Sequence, residues 1–250
     1  MLPDGDTTTR LSFSDISMTF PDGTEALSHV SFDVRAGEFV TVVGPSGCGK
    51  STLLRIASGL TPQSSGTVDI DRTSIGYVFQ DATLLQWRNV QRNVELLAEL
   101  HGIGKAERRA LAAEAIELVG LQGNELKYPR QLSGGMRMRA SLARSLVLKP
   151  QVFLFDEPFG ALDEITRERL NDELLELFQH EGFGALFITH SIYEAVFLST
   201  RVLVMSARPG KIVAEFDVPF GYPRAHDLRF DPAFAELTGQ VSHSLREAHE

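Results

Sequence analysis

Cysteine is nearly missing from this sequence. Cys48 is the only one in 250 residues, so no intrachain disulfide can form, which suits a reducing compartment. Positive charge is also short. Lys and Arg number 24 against 33 Asp and Glu, and the formal charge of -9 argues against nucleic acid as a partner and against anionic lipid headgroups as the main anchor. Any attachment to a membrane is therefore expected to run through another protein. No uninterrupted apolar run is long enough to span a bilayer. The opening stretch Met1-Leu2-Pro3-Asp4-Gly5-Asp6-Thr7 lacks the basic and apolar regions of a signal peptide. Internal repeats and low-complexity tracts are absent. What remains is a chain of ordinary composition, 43% hydrophobic, sized for one large α/β domain with room for an inserted subdomain.

One stretch organises it. Gly44-Pro45-Ser46-Gly47-Cys48-Gly49-Lys50-Ser51, followed by Thr52, fits the phosphate-binding pattern G-x-x-x-x-G-K-[ST] at every fixed position. The β-branched run Glu38–Val43 before it reads as a buried strand, and Thr52–Ser58 after it as a helix stopped by Gly59. The motif thus sits where its mechanism needs it. Glycines let the backbone curl round an anion with its N–H groups inward, and the helix N-terminus adds about half a positive charge. Lys50 is expected to reach the β- and γ-phosphates and the Ser51 hydroxyl to ligate Mg²⁺.

Other segments are read around that loop. Residues 1–9 are polar and read as a frayed start. Leu11–Phe20 and Ala26–Val34 read as strands of a small antiparallel layer, with Phe20 either a platform for an adenine base or an ordinary core residue. Thr67–Ile70 and Ser74–Phe79 are further strands, and Gln80 stands at the end of the second, where ligands gather in α/β sheets. The loop to Arg88 carries Leu84, Leu85 and Trp87, either a local anchor or a docking surface. From Asn89 to Lys149 the pattern is helical: Asn89–Gly102 with Val90, Val94, Leu97 and Leu100 on one side, Lys105–Val119 through Leu111, Ala115 and Leu118, and a third helix from Ser133. Three helices in a row interrupt the β/α alternation, so residues 88–149 read as an all-helical insertion between core segments 10–87 and 150–218. Ser133-Gly134-Gly135 opens the third helix and repeats the anion logic of the first loop, although a plain N-cap would look the same.

Val152–Phe155 then reads as a buried strand ending in Asp156 and Glu157. Two carboxylates there would be costly in a dry core but make sense beside Mg²⁺ and Lys50, with Asp156 holding the metal and Glu157 polarising the attacking water. Glu164–Glu181 is a long amphipathic helix. Ala185–Thr189 is another buried strand, with His190 at the same sheet edge as Gln80 and Asp156, and Ser191 caps a short helix. Arg201–Ser206 and Lys211–Val218 form a hairpin, and residues 219–250 a tail of loop and one helix.

Together these residues resemble the ATP-binding subunit of an ABC transporter, from Phe20 to about Ile212, with the motifs in the family's order. The resemblance implies a P-loop NTPase (ABC ATPase) core with an antiparallel β layer and a helical subdomain, using ATP and Mg²⁺. It implies Phe20 as the adenine platform, residues 44–52 as the phosphate loop, Ser133, Gly134 and Gly135 as the signature loop, and Glu157, His190 and Gln80 as the catalytic set. It places the metal at Ser51, Gln80 and Asp156, and reads Asp163 as part of the loop that joins two subunits. It further implies a head-to-tail homodimer, membrane permease subunits, an extracytoplasmic solute-binding protein, and a place on the cytoplasmic face of a bacterial inner membrane. Phe20 replaces the commoner tyrosine, Met136 the usual glutamine, and Gln86 a frequent proline. Leu84–Val90, Thr189–Leu198 and Met205–Gly210 resemble the nitrate/sulfonate/taurine importer group. A soluble ABC ATPase without transport is the alternative, and a nucleotide kinase leaves residues 132–136 and His190 unexplained.

Overall fold

The computed structural model describes residues 8–248, so most of the polar start lies outside the described residues, while Thr9 already belongs to the first strand. Among the described residues nine strands form two sheets. β1 (Thr9–Thr19), β2 (Glu25–Arg35) and β4 (Ser65–Ile70) make an antiparallel sheet in the order β2-β1-β4. The larger sheet contains β3 (Phe39–Val43), β5 (Ile75–Val78), β6 (Val152–Asp156), β7 (Gly184–Thr189), β8 (Arg201–Met205) and β9 (Ile212–Asp217), in the order β5-β6-β7-β3-β8-β9. Its first five strands are parallel, and β9 returns antiparallel to β8 as the expected hairpin.

Apolar residues run unbroken through the parallel strands because both faces of the large sheet are covered. Successive side chains point to opposite faces, so Val40, Val42, Leu154, Leu186, Ile188 and Leu203 pack against the antiparallel layer and α1 (Lys50–Ala57). Phe39, Val43, Phe153, Phe155, Phe187 and Val204 face the helical layer instead. That layer includes α6 (Glu164–Glu181), α7 (Ile192–Leu198) and the C-terminal α8 (Pro232–Glu247), which buries Phe234, Leu237 and Val241. Aromatic rings dominate its centre: Phe39 meets Phe178 edge-on at 5.3 Å, and Phe153 stacks on Phe155 at 5.4 Å.

Between β5 and β6 the chain is helical: α2 (Val90–Val94), α3 (Leu96–Leu100), α4 (Lys105–Leu118) and α5 (Gly134–Leu146). Two expectations fail here. The helix read over Asn89–Gly102 is two short helices meeting at Glu95, and Leu100 is 72% exposed. Buried polar residues set this segment. The Asn93 amide donates to the carbonyls of Leu85, Arg88 and Asn89 and accepts from Leu85 N, and buried Glu95 faces Arg108 at 3.4 Å. On α4 the buried stripe is Ala112, Ala115 and Ile116, with Leu118 partly exposed. Small residues there let α4 approach its neighbours, which a count of large apolar side chains misses.

Candidate active site

β3 lies between β7 and β8, and its C-terminal end feeds the phosphate loop straight into α1. Lys50, the first residue of α1, is buried, and its ammonium donates to the carbonyls of Gly44 and Pro45, both at 2.8 Å. Those carbonyls hold a buried charge in place facing the loop's own curl. Gly49 caps the helix at φ 108, and a Cβ there would come within 2.7 Å of Ala26 O and of Leu27 Cδ2, so only glycine fits. A cleft of about 230 Å³ opens beside the loop, lined by Phe20, Ala26, Ser46, Gly47, Gly49, Lys50, Ser51, Thr52, Glu157 and Arg208.

Three residues of the phosphate loop do not line the cleft. Gly44 and Pro45 serve through their carbonyls, which hold Lys50. Cys48 turns its thiol into the core, where burial pushes it above its usual pKa. The loop turns Ser46, Gly47 and Gly49 through Thr52 to the cleft and Cys48 to the core, so the motif's unfixed positions supply packing as well as cleft lining. Phe20, one residue past β1 and half-buried, packs on the core under the antiparallel layer and lines the cleft.

Asp156 ends β6 and accepts a hydrogen bond from Ser51 Oγ at 2.8 Å. Burial raises its pKa most; the Ser51 bond opposes that, and the charge of Glu157 adds to it. Glu157 sits at φ 46, a left-handed conformation that costs a non-glycine residue strain, while its N–H donates to Ile188 O at 3.0 Å. That reversal turns its side chain toward the cleft, where a carboxylate oxygen lies 3.0 Å from His190 Nδ1. Gly160 packs beside both groups. Among the described residues no group of three or more His, Cys, Asp or Glu side chains is gathered to hold a metal ion. Mg²⁺ needs less, since it is bound through one or two carboxylates plus phosphate oxygens and water. The Ser51 hydroxyl and Asp156 carboxylate, two hard oxygens at the mouth of the phosphate loop, fit that demand.

Gln80 and the Ser133-Gly134-Gly135 helix start stand apart from the cleft. β5, β6 and β7 are neighbours, so Gln80, Asp156 and His190 do follow the same edge of the sheet. Gln80, however, lies two residues past β5, exposed and outside the cleft wall, because the strand ends at Val78 and the chain turns away. Ser133 caps α5 by accepting from Met136 N at 3.3 Å, and Gly134 and Gly135 pack against Leu162 and Thr166 rather than lining the cleft.

Arg208 is a cleft residue that the sequence reading passed over as hairpin turn. Its guanidinium donates twice to Gly47 O, at 2.9 and 3.2 Å. The turn is pinned to the loop because Gly210 donates to Ala26 O, and a Cβ on it would come within 2.2 Å of Cys48 O. A cation in a tight turn beside the strand after β3 was the only signal available.

The model of the ABC transporter family matches residues 27–160, from β2 through the carboxylates. The chain belongs to the ABC transporter ATPases. It is 42% identical to the taurine import ATP-binding protein TauB of Rhizobium johnstonii, covering 90% of each chain. It is 39% identical to TauB of Shigella boydii, with 91% of this chain and 94% of the relative covered. Among solved structures, a dimeric bacterial ABC transporter cassette superposes with a TM-score of 0.73 at 31% identity, covering 84% of this chain and all of that one. Another cassette, cbiO1 of Clostridium perfringens, reaches a TM-score of 0.78 at 26% identity over 98% of both chains. The fold is that of an ABC ATPase, and the chain is an ATP-binding, ATP-hydrolysing subunit.

Proposed function

We propose that this ABC ATPase drives a bacterial importer for a small anionic, or nitrogen- or sulfur-containing, solute of the nitrate/sulfonate/taurine type, bound with its permease on the cytoplasmic face of the inner membrane. The TauB relatives, about 40% identical over nearly the whole chain, favour that reading. Among the described residues no helix is long and apolar enough to cross a membrane, so the subunit would attach through a partner. The chain acts as one domain, with a core of residues 10–87 and 150–218, the helical insertion 88–149 and the tail 219–250.

The observation that carries the mechanism is a mismatch within one copy. The cleft has Lys50, Ser51 in hydrogen-bond contact with Asp156, and the Glu157 carboxylate, yet the Ser133-Gly134-Gly135 helix start lies outside it. A head-to-tail homodimer resolves this by lending each helix start to the other copy's nucleotide; a relative solved as a dimer supports that arrangement. Phe20 stacks on the adenine, and the amides of residues 46–52 with Lys50 hold the phosphates. Glu157 takes a proton from the attacking water while His190 orients that carboxylate and faces the γ-phosphate. Ser51 and Asp156, with Gln80, would hold Mg²⁺, which when bound would neutralise phosphate charge. The permease would dock on the loop before α2. Leu84 is buried and anchors that loop, while Trp87 is 74% exposed and borders a groove with Arg92, Lys105, Arg108 and Leu126. The cbiO1 relative is described as part of a transporter complex.

The test is affinity capture of the tagged chain from bacterial membranes, followed by reconstitution and ATPase assay with taurine, alkanesulfonates or nitrate. A multi-spanning permease should co-purify, and one of these solutes, with its binding protein, should raise turnover. Capture without a permease would favour the soluble ABC ATPase instead.

A further inference from the structure

Behind His190 lies a buried polar cluster that the catalytic scheme does not use. Glu194, in the first turn of α7, is buried, and its carboxylate accepts from the Thr189 hydroxyl. Thr189 Oγ1 in turn accepts from Ser191 N at 3.0 Å, and Ser191 Oγ accepts from Glu194 N at 3.3 Å. These bonds brace both sides of His190, whose own side chain is otherwise held by Glu157 alone.

Across from Glu194 stands Arg167 on α6. Its Nη2 donates to Leu162 O at 3.0 Å and its Nη1 to Glu164 Oε2 at 3.1 Å, gripping both sides of Asp163. Its Nε lies 3.9 Å from Glu194 Oε1, within reach of an ion pair but too far for a hydrogen bond. Arg167 Nε, Glu194 Oε1 and the nearby Asn171 Oδ1 all lack a hydrogen-bond partner. They are three of the six such buried side-chain atoms among the described residues. Unmade bonds gathered in one place, between groups of opposite charge, are costly and call for an explanation. Burial also lifts the Glu194 carboxyl above its usual range, against the pull of Thr189 and Arg167.

We propose that Arg167 and Glu194 are a pair of positioning residues that couple the 162–164 loop to His190. In the open single copy the pair is parted. When a second copy presses on the Asp163 loop, Arg167 moves with it, the gap closes to a hydrogen bond, and Glu194 sets the Thr189–Ser191 turn so that His190 meets the γ-phosphate. Neither residue touches nucleotide. The inference rests on the homodimer reading above and adds the route by which subunit contact reaches the histidine.

The test uses the full chain purified with its permease and measures kcat, KM for ATP, and melting temperature for Glu194→Gln, Arg167→Lys, His190→Ala and the double variants. Glutamine keeps an acceptor for Thr189, and lysine keeps the charge but lacks Nε. Each is expected to lower kcat about tenfold with KM and melting temperature little changed. Each should also be non-additive with His190→Ala by at least about fivefold, as a shared pathway requires. Unchanged kcat in Arg167→Lys, or additive losses with His190→Ala, would overturn the coupling; should Glu194→Gln fail to fold, Arg167→Lys decides alone. ATP-driven dimerisation of Glu157→Gln separates the two readings. If that variant never dimerises, the homodimer is wrong; if it dimerises and the Arg167 and Glu194 variants turn over normally, only the coupling is.

Discussion

Replacing Glu157 by Gln gives the sharpest test of the catalytic assignment. Glutamine matches glutamate in size, can accept a hydrogen bond at the 3.0 Å distance seen to His190, and leaves the unusual φ of 46 and the bond to Ile188 O in place. What it removes is the ability to take a proton from water. Loss of a positioned general base costs about 10²–10⁴ in rate, or about 2.7–5.5 kcal/mol of barrier at 1.36 kcal/mol per factor of ten. On the proposed reading the nucleotide contacts run through the loop, Lys50 and Phe20, so ATP affinity should stay near wild type. The assay is single-turnover release of phosphate from the purified variant, alongside equilibrium binding of ATP and sizing of the complex. The expected result is slow turnover, near-normal affinity and a persistent ATP-bound dimer. Turnover within tenfold of wild type would remove Glu157 as the base, and lost ATP binding would mean that the residue works through the fold instead.

Three further outcomes follow from the same geometry. Burial holds the Asp156 carboxyl above its usual pKa, so the ionised form costs the nucleotide-free fold stability above that raised value. The cost disappears as pH falls below the ordinary carboxylate value of about 4. Asp156→Asn should therefore raise the melting temperature at neutral pH, with the gain shrinking toward acid, while ATP hydrolysis is lost; an equal gain at every pH would contradict this. Phe20→Ala should weaken ATP binding about 5- to 150-fold, the equivalent of ~1–3 kcal/mol of base stacking, with kcat unchanged and Phe20→Tyr neutral; titration with a fluorescent nucleotide reads this directly. Cys48 should react slowly with a bulky maleimide because its thiol is buried and its pKa raised, more slowly still with ATP bound, and the modified protein should bind no ATP. Full ATP affinity after complete alkylation would exclude Cys48 from the loop's support.

How much was legible in advance differs from residue to residue. The phosphate loop, Asp156, Glu157 and His190 could be read directly, because short buried strands carry an uninterrupted apolar run and the polar residue that ends the run marks the sheet edge. The six-stranded order could not be read, since which strand lies beside β3 depends on crossover helices rather than on local pattern. The helical insertion was legible as helical but not in its packing. Asn93 and Glu95 organise it through buried hydrogen bonds, while Leu100, apolar and in phase, faces solvent.

By itself the sequence determined the motifs and their places: a G-x-x-x-x-G-K-S loop between a strand and a helix, Asp156 and Glu157 at the end of one buried strand, His190 at the end of another, and a second glycine-rich helix start at Ser133-Gly134-Gly135. Only the tertiary structure decided which side chains share the cleft. It brought in Arg208 across 161 residues of chain, turned Cys48 inward, left Gln80 outside, and set Arg167 against Glu194 with a gap between them. The physical reason is range. A motif is local, and its spacing fixes backbone curl and side-chain type; the direction a side chain takes and the partner it meets depend on elements brought close by packing, which no window of sequence contains.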